Sequence, residues 1–373
     1  RREWFRCRRR EWVPWVGVLS CASGTGDTGI VPQPAADPEK NVSEKNLRIV
    51  LASRPTGWVE PSNFRLEEAE VPRPGEGEVL VRVKWLSLDP YMRGRMNEGR
   101  SYAARVELGE VMVGGTLGEV IASRHPGFAP GDRVVGQQGW QRFGIAPAKA
   151  LMKVPDPRLP ETAWLGAAGM PGVTAWMGYR EIGGLVAGQT VVVSSASGAV
   201  GSVAGQLAKI AGCRAVGIAG GAAKCDYVTK ELGFDACVDY KAGPVHESLK
   251  AACPAGIDVY FDNVAGEILD AVLRRVNPNA RIALCGLISG YNGDDIPLRN
   301  VFSLLVNRVR LQGFIVSDRM DLWPEAMGGL AAHVVAGRIR YRETVTEGLE
   351  TAPASLIALL KGDNFGKRLV RIL

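Results

Sequence analysis

The stretch Val191–Ala211, VVVSSASGAVGSVAGQLAKIA, decides how the rest of the chain is read. Val191, Val192 and Val193 run without polar alternation, the pattern of a strand buried on both faces inside a parallel sheet. Ser194, Ser195 and Ser197 end the apolar run, and Gly198-Ala199-Val200-Gly201 supplies a turn. From Val200 the apolar positions Val203, Leu207, Ile210 and Ala211 recur at helical spacing. Strand, glycine turn and helix together open a dinucleotide site. Small residues admit a pyrophosphate, and a helix N-terminus offers unpaired N–H groups and a positive dipole end. The spacing is Ser195-x-x-Gly198-x-x-Gly201 rather than G-x-G-x-x-G, so a tight βα turn in another doubly wound protein reads the same way.

The next stretch sharpens the reading. Cys213–Ile218 (CRAVGI) predicts the second strand of a βαβ unit. About twenty residues after the glycines, where an acidic residue would meet the ribose hydroxyls, stand Gly217-Ile218-Ala219-Gly220-Gly221-Ala222-Ala223-Lys224. No carboxylate there repels a 2′-phosphate, and Lys224 supplies a cation. The expected cofactor is therefore NADPH rather than NADH; a solvated lysine opening the next helix is the plainer alternative.

At 373 residues and 46% hydrophobic content the chain is long enough for two domains with their own cores. Its net charge of +6 hints at nucleic acid, but residues 1–10 (RREWFRCRRR) hold six Arg and one Glu and so account for five of the six. The rest is nearly neutral, which argues against a basic docking face. No run approaches the roughly 18–20 apolar residues of a membrane span. The seven Cys (7, 21, 213, 225, 237, 253, 285) form no C-x-x-C pair, and with only His125, His246 and His333 they make no grouped metal-ligand set. Free thiols fit a reducing cytoplasm, and no metal site is expected.

Residues 1–46 read as an extension, mostly disordered, of Arg-rich then Gly/Ser/Thr/Pro-rich composition. An export signal is the alternative, although the apolar run Trp12–Leu19 is short and broken by Pro14. From Leu47 short strands are expected: Glu78–Lys84 (EVLVRVK) alternates, and Val111–Ile121 and Arg133–Val135 follow. Leu88-Asp89-Pro90-Tyr91-Met92-Arg93 reads as a polar and aromatic loop between them. The composition changes near Gly166–Trp176 (GAAGMPGVTAW), where a domain junction is expected. Strands and helices then alternate through Thr190–Val193, Ala199–Ala211, Ala215–Ile218, Lys224–Leu232, Ala236–Val238, Val259–Asp262 and Ala280–Cys285. That series predicts a parallel sheet with helices on both faces. Ile339–Val345, the helix Ala354–Leu360 and Lys367–Ile372 lead back to the first domain.

The blocks SASGAVGS, DPYMRG, GMPGVTAW, YFDNVAGE, CGLISGYN and GDNFGKRLV, in this order, resemble the zinc-independent medium-chain dehydrogenase/reductases. The nearest group is the NADPH-dependent alkenal/one reductases, which includes prostaglandin, plant double-bond and curcumin reductases. The resemblance covers about Leu47 to Leu373. It implies an α/β fold with a GroES-like β-barrel domain (47–166 and 339–373) and a Rossmann doubly wound parallel-sheet domain (167–338), assembled as a homodimer. Carried over by position, Gly198, Ala199, Val200 and Gly201 would hold the pyrophosphate, and Lys224 and Tyr240 the adenosine 2′-phosphate. Asn263 would meet the cofactor, Cys285, Gly286, Leu287, Ile288, Ser289, Gly290 and Tyr291 would run beside its nicotinamide half, and Phe314, Ile315, Val316 and Asn364 would line the other side. Two departures stand out: Ser195 replaces the first glycine or alanine of the fingerprint, and Gly220–Ala223 replaces more polar residues before the lysine.

Without metal ligands, polarising a plain ketone or alcohol is difficult. A conjugated enone is an easier hydride acceptor at its β-carbon, because the charge develops as an enolate. Tyr291 is the first candidate for the hydrogen-bond donor to that oxygen, and Tyr91 the second, equally suited to shaping the pocket. Arg93 and Arg95 are candidates for an acidic substrate tail, and Cys285 reads as a small filler. The expected activity is reduction of the C=C bond of α,β-unsaturated aldehydes and ketones, a small-molecule carbonyl substrate. The alternatives are a quinone reductase of the same superfamily and a non-catalytic NADPH-binding protein.

Overall fold

The computed structural model describes residues 44–99, 101–293 and 295–372, so all but the last three residues of the expected extension lie outside the described residues. The first strand, Asn46–Leu51, begins inside it: Asn46 pairs with Ala69, and its side-chain amide donates to the Phe143 carbonyl at 2.9 Å.

The strand Thr190–Ser194 lies at the centre of a six-stranded sheet in which every pairing is parallel. By first residue the order is Ala236, Arg214, Thr190, Ile257, Val276, Arg310, which numbered along the chain is 3-2-1-4-5-6. That is the doubly wound order, with its switch point between the first and fourth strands. Val191 and Val193 face one buried cluster and Val192 the opposite one, so the absence of alternation has its expected cause. Each such side chain contributes about 1.5–3 kcal/mol of burial. The helix Ala199–Ile210 packs Val203, Ala204 and Ala208 into the first of these clusters.

A seven-stranded sheet carries the other half. Its order by first residue is Glu343, Lys367, Glu78, Thr116, Arg133, Met152, with Phe143–Pro147 also pairing on Glu78–Leu88. The C-terminal strand Lys367–Arg371 thus lies beside Glu78–Leu88. Leu117 and Leu369 of this sheet join the cluster of Val191 and Val193, so the two halves share a core.

Several local expectations change. The Asp89–Arg93 segment is not a loop throughout: Tyr91–Arg95 is a short helix, started by Pro90 at φ −59° and by the Met92 amide bonding to the Asp89 carbonyl at 3.1 Å. The strand expected at Val111–Ile121 runs Thr116–Ser123, because Gly114-Gly115 lets the chain pass close under Leu86. The helix expected over Lys224–Leu232 is Ala222–Asp226 followed by a wider turn, Tyr227–Glu231. The strand expected at Ile339–Val345 is Glu343–Glu347.

Candidate active site

The turn after the central strand is built for close approach. Ser195 takes a left-handed backbone, φ 50°, where the usual fingerprint residue is glycine. A Cβ on Gly201 would collide with the Ser195 carbonyl oxygen, so only glycine lets this helix start so near the strand. Gly198 precedes the helix with no side-chain cap, leaving the first-turn N–H groups of Ala199, Val200 and Gly201 without a capping side chain. Gly366 bridges to Gly198 and donates its amide to Ser197 O at 2.8 Å. Asn364 donates through Nδ2 to Gly366 O at 3.0 Å, which puts it beside the cradle.

At the end of the second strand the Gly221 amide donates to Asp239 Oδ1 at 2.7 Å, and that carboxylate also accepts from the Lys241 amide. These two bonds hold the Asp239 carboxyl below the usual carboxylate range. The half-exposed Tyr240 ring lies on Gly220, where a Cβ would meet it at 2.7 Å. Lys224 donates to the Gly362 carbonyl at 2.5 Å and sits 5.8 Å from the Phe365 ring. Burial, and then Lys241 nearby, lower its pKa. Lys241 is thus a second cation at this corner, one that the sequence reading passed over.

At the other end Asn263 is pinned to the central strand: its Nδ2 donates to Ser194 O and its amide to Ser194 Oγ, both at 2.8 Å. Asp262, also unanticipated, accepts through Oδ1 from Ser194 Oγ, Tyr260 OH and the amides of Val264 and Ala265. Its Oδ2 is buried without a partner among the described residues, and burial raises its pKa. The segment Cys285–Tyr291 follows over Asn263 and Val264, with Ser289 Oγ donating to Val264 O at 2.6 Å. The Leu287 amide donates to the Tyr291 phenol at 3.4 Å. Burial raises the Tyr291 pKa and pushes the Cys285 thiol up to about 12.

Tyr91 is raised in the same sense, by burial and then by the Asp89 charge. Tyr102 adds a small further upward push on Tyr91, and burial raises Tyr102 itself while Arg95 opposes that rise. Tyr291 also feels Tyr102. Tyr102 itself is 61% exposed. Beside Tyr91 a cavity of about 70 Å³ is lined by Trp164, Met152, Met170, Trp323 and Met327, with Asp89 at its wall.

Not every expected residue joins this group. Arg93 is consumed internally, donating to Gly57 O at 2.7 Å and to Asn97. The Phe314 ring packs edge-on against Phe261, 6.2 Å between centroids, and toward Gly178, so that side chain belongs to the core. Val316 presents its carbonyl to Trp323 Nε1 at 3.0 Å. A larger cleft, about 540 Å³, between Arg82, Lys84, Arg142 and Arg371 contains none of the expected residues. Among the described residues no group of three or more His, Cys, Asp or Glu is placed to hold a metal ion, and no helix is long and apolar enough to cross a membrane.

A doubly wound parallel sheet with a glycine cradle at its switch point, joined to a mostly antiparallel β half, is the build of a two-part nucleotide-dependent oxidoreductase. Two families match it in sequence: "N-terminal domain of oxidoreductase" over residues 47–154 and "Zinc-binding dehydrogenase" over 199–332. The chain is 48% identical to the NADPH-dependent curcumin reductase of Escherichia coli (strain K12), covering 88% of this chain and 97% of that one. It is 39% identical to the NADP(+)-dependent 2-alkenal reductase of Nicotiana tabacum, with the same coverage. The crystal structure of CurA from Vibrio vulnificus in complex with NADPH superposes with a TM-score of 0.83 at 44% identity, covering 88% of this chain and 99% of that one. The chain belongs to the medium-chain dehydrogenase/reductase family, in the group of the alkenal, curcumin and prostaglandin reductases.

Proposed function

We propose that the protein reduces the C=C bond of α,β-unsaturated aldehydes and ketones with NADPH. The observation that supports this reading best is the glycine cradle: a Cβ on Gly201 would meet the Ser195 carbonyl oxygen, and the Gly366 amide ties the cradle to the segment whose Gly362 carbonyl receives Lys224. The residues present fit the cofactor: Gly198 and Gly201 keep open a space that a Cβ would fill, and Lys224 and Lys241 form a cationic corner, with Asp363 the carboxylate that also acts on Lys224. Tyr240 would lie along the adenosine, and Asn263, Cys285–Tyr291, the backbone of Phe314–Val316, and Asn364 along the nicotinamide half.

When bound, NADPH supplies a hydride to the β-carbon of the alkene. The chain's own part is to take up the charge that appears on the substrate oxygen. The Tyr291 phenol is neutral at physiological pH, as an ordinary tyrosine is, and burial raises its pKa further. Its oxygen accepts the Leu287 N–H, which leaves the hydroxyl proton to donate to the enolate oxygen. Tyr91 and the Met- and Trp-lined cavity position the carbonyl end. Enones also alkylate thiolates, and Cys285, held protonated beside the site, does not compete for the substrate. Water protonates the α-carbon.

The finer assignments belong to the same reading. The catalytic and nucleotide halves divide near Gly166 and near Ile339, and the protein works in the cytoplasm, where its free thiols are at home. It acts as a homodimer. Strand Arg310–Gly313 is an edge of the parallel sheet, paired on one side only among the described residues, and Phe302 and Leu305 just before it are 77% and 75% exposed. A second copy pairing about a two-fold axis covers both liabilities.

The test is NADPH oxidation over a panel of enals, enones and quinones with products identified by mass spectrometry. A saturated carbonyl is the expected product. Hydroquinone alone, allylic alcohol alone, or no turnover with tight NADPH binding would each replace the proposal with another reading.

A further inference from the structure

The segment Gly362–Lys367 touches Lys224, the glycine cradle and the turn before Tyr91. Its Gly362 carbonyl receives Lys224, its Gly366 amide reaches Ser197 in the glycine cradle, and its last residue leaves the cofactor side altogether. Lys367 turns its side chain the other way, into the β half. It is 3% exposed and donates to Leu88 O at 2.7 Å and to Asp89 Oδ1 at 2.5 Å. The second Asp89 oxygen accepts from Ser87 Oγ. The Asp89 carbonyl in turn accepts the Met92 amide and starts the short helix that begins at Tyr91. Glu343, opposite Lys367 on the neighbouring strand, is the other charged group that faces the ammonium.

Folding alone does not call for this arrangement. A buried pair of charges contributes little net stability over apolar residues of similar size, because the desolvation cost offsets the attraction. What the pair does supply is direction: an ammonium within hydrogen-bond reach of both a strand-end carbonyl and a carboxylate fixes the backbone that follows. That backbone carries Tyr91.

We propose that Lys367 is a positioning residue: through Asp89 it locks the Tyr91 turn in register with the glycine cradle, so that cofactor and substrate halves meet in one geometry. The inference rests on the role given to Tyr91 above.

The experiment compares Lys367→Met, the double variant Lys367→Met/Asp89→Asn, and each in a Tyr91→Phe background. Thermal midpoint, NADPH dissociation constant by fluorescence, kcat and KM with trans-2-hexenal, and amide hydrogen exchange over residues 89–96 are measured. Lys367→Met leaves Asp89 buried without its partner, so the midpoint falls; the double variant removes both charges of the pair and recovers part of it, Glu343 still lacking its cation. Yet kcat stays down at least tenfold in both variants, exchange over 89–96 speeds up at least tenfold, and NADPH affinity changes less than threefold. In the Tyr91→Phe background the further loss of kcat is under twofold. Recovery of kcat together with the midpoint would reduce the pair to a structural contact and overturn the proposal. So would unchanged exchange over 89–96, which is read without any substrate. An undiminished effect of Lys367→Met on top of Tyr91→Phe would sink Lys367 alone. A fully active Tyr91→Phe would sink the role of Tyr91 first and this inference with it.

Discussion

Replacing Lys224 by Met separates the two nicotinamide cofactors. In the structure one of the three ammonium protons of Lys224 is committed to Gly362 O, leaving two for a phosphate. A hydrogen bond to a charged group contributes about 1.5–3 kcal/mol, so NADPH should weaken roughly ten- to 150-fold. The loss stops short of complete because Lys241 remains at the same corner. Releasing Gly362 also loosens the segment that reaches Ser197, but that effect falls on NADPH and NADH alike. The ratio of the two dissociation constants, measured by fluorescence titration, therefore isolates the phosphate contact. The pH dependence has a definite sign. Burial and Lys241 lower the Lys224 pKa, and only the protonated form holds a phosphate. NADPH affinity should thus decline with rising pH at a less alkaline point than an ordinary lysine would give, and Lys224→Met should abolish that decline. Equal losses for both cofactors, or a pH slope for NADH as steep as for NADPH, would refute the assignment.

Three further outcomes follow from the same geometry. Tyr291→Phe keeps the ring and removes the donor, so kcat should fall about tenfold or more; unchanged kcat with altered KM would make Tyr291 a binding residue. Gly201→Ala drives a Cβ into the Ser195 carbonyl, which should cost about 1–3 kcal/mol of stability and abolish measurable NADPH binding; wild-type affinity would show that the turn yields. Phe302→Glu places a charge on the exposed helix before the edge strand, and light scattering should find a monomer with unchanged circular dichroism; a persistent dimer would move the interface elsewhere.

What could be read from the chain alone follows from how local each signal is. The Val191–Val193 run and the Gly198–Gly201 turn encode their structure within a dozen residues: burial on both faces removes alternation, and close approach demands the missing Cβ. The lack of a carboxylate after Ala219 is legible for the same reason. Lys241 was within reach too, since Asp239-Tyr240-Lys241 ends the third strand beside the corner that Lys224 occupies. Tyr91 and Tyr291 stand in blocks that carry the resemblance, whereas Tyr102 stands in an irregular stretch between the Tyr91 helix and the Thr116–Ser123 strand.

Asp262 and Lys367 were illegible for a stronger reason. A single Asp at a strand end and a single Lys in KRLVRI look like ordinary solvated charges, and nothing adjacent says otherwise. Their partners are supplied by topology. Ser194 reaches Asp262 because the fourth strand lies against the first, and Asp89 reaches Lys367 because the last strand returns to pair with Glu78–Leu88. The same crossings that create the site bury its charges. A chain that closes a cofactor domain against a substrate domain must bring distant residues together at the seam, and there a charge is retained only where it is paired or hydrogen-bonded. Lys367 is both, and its partner leads directly to Tyr91.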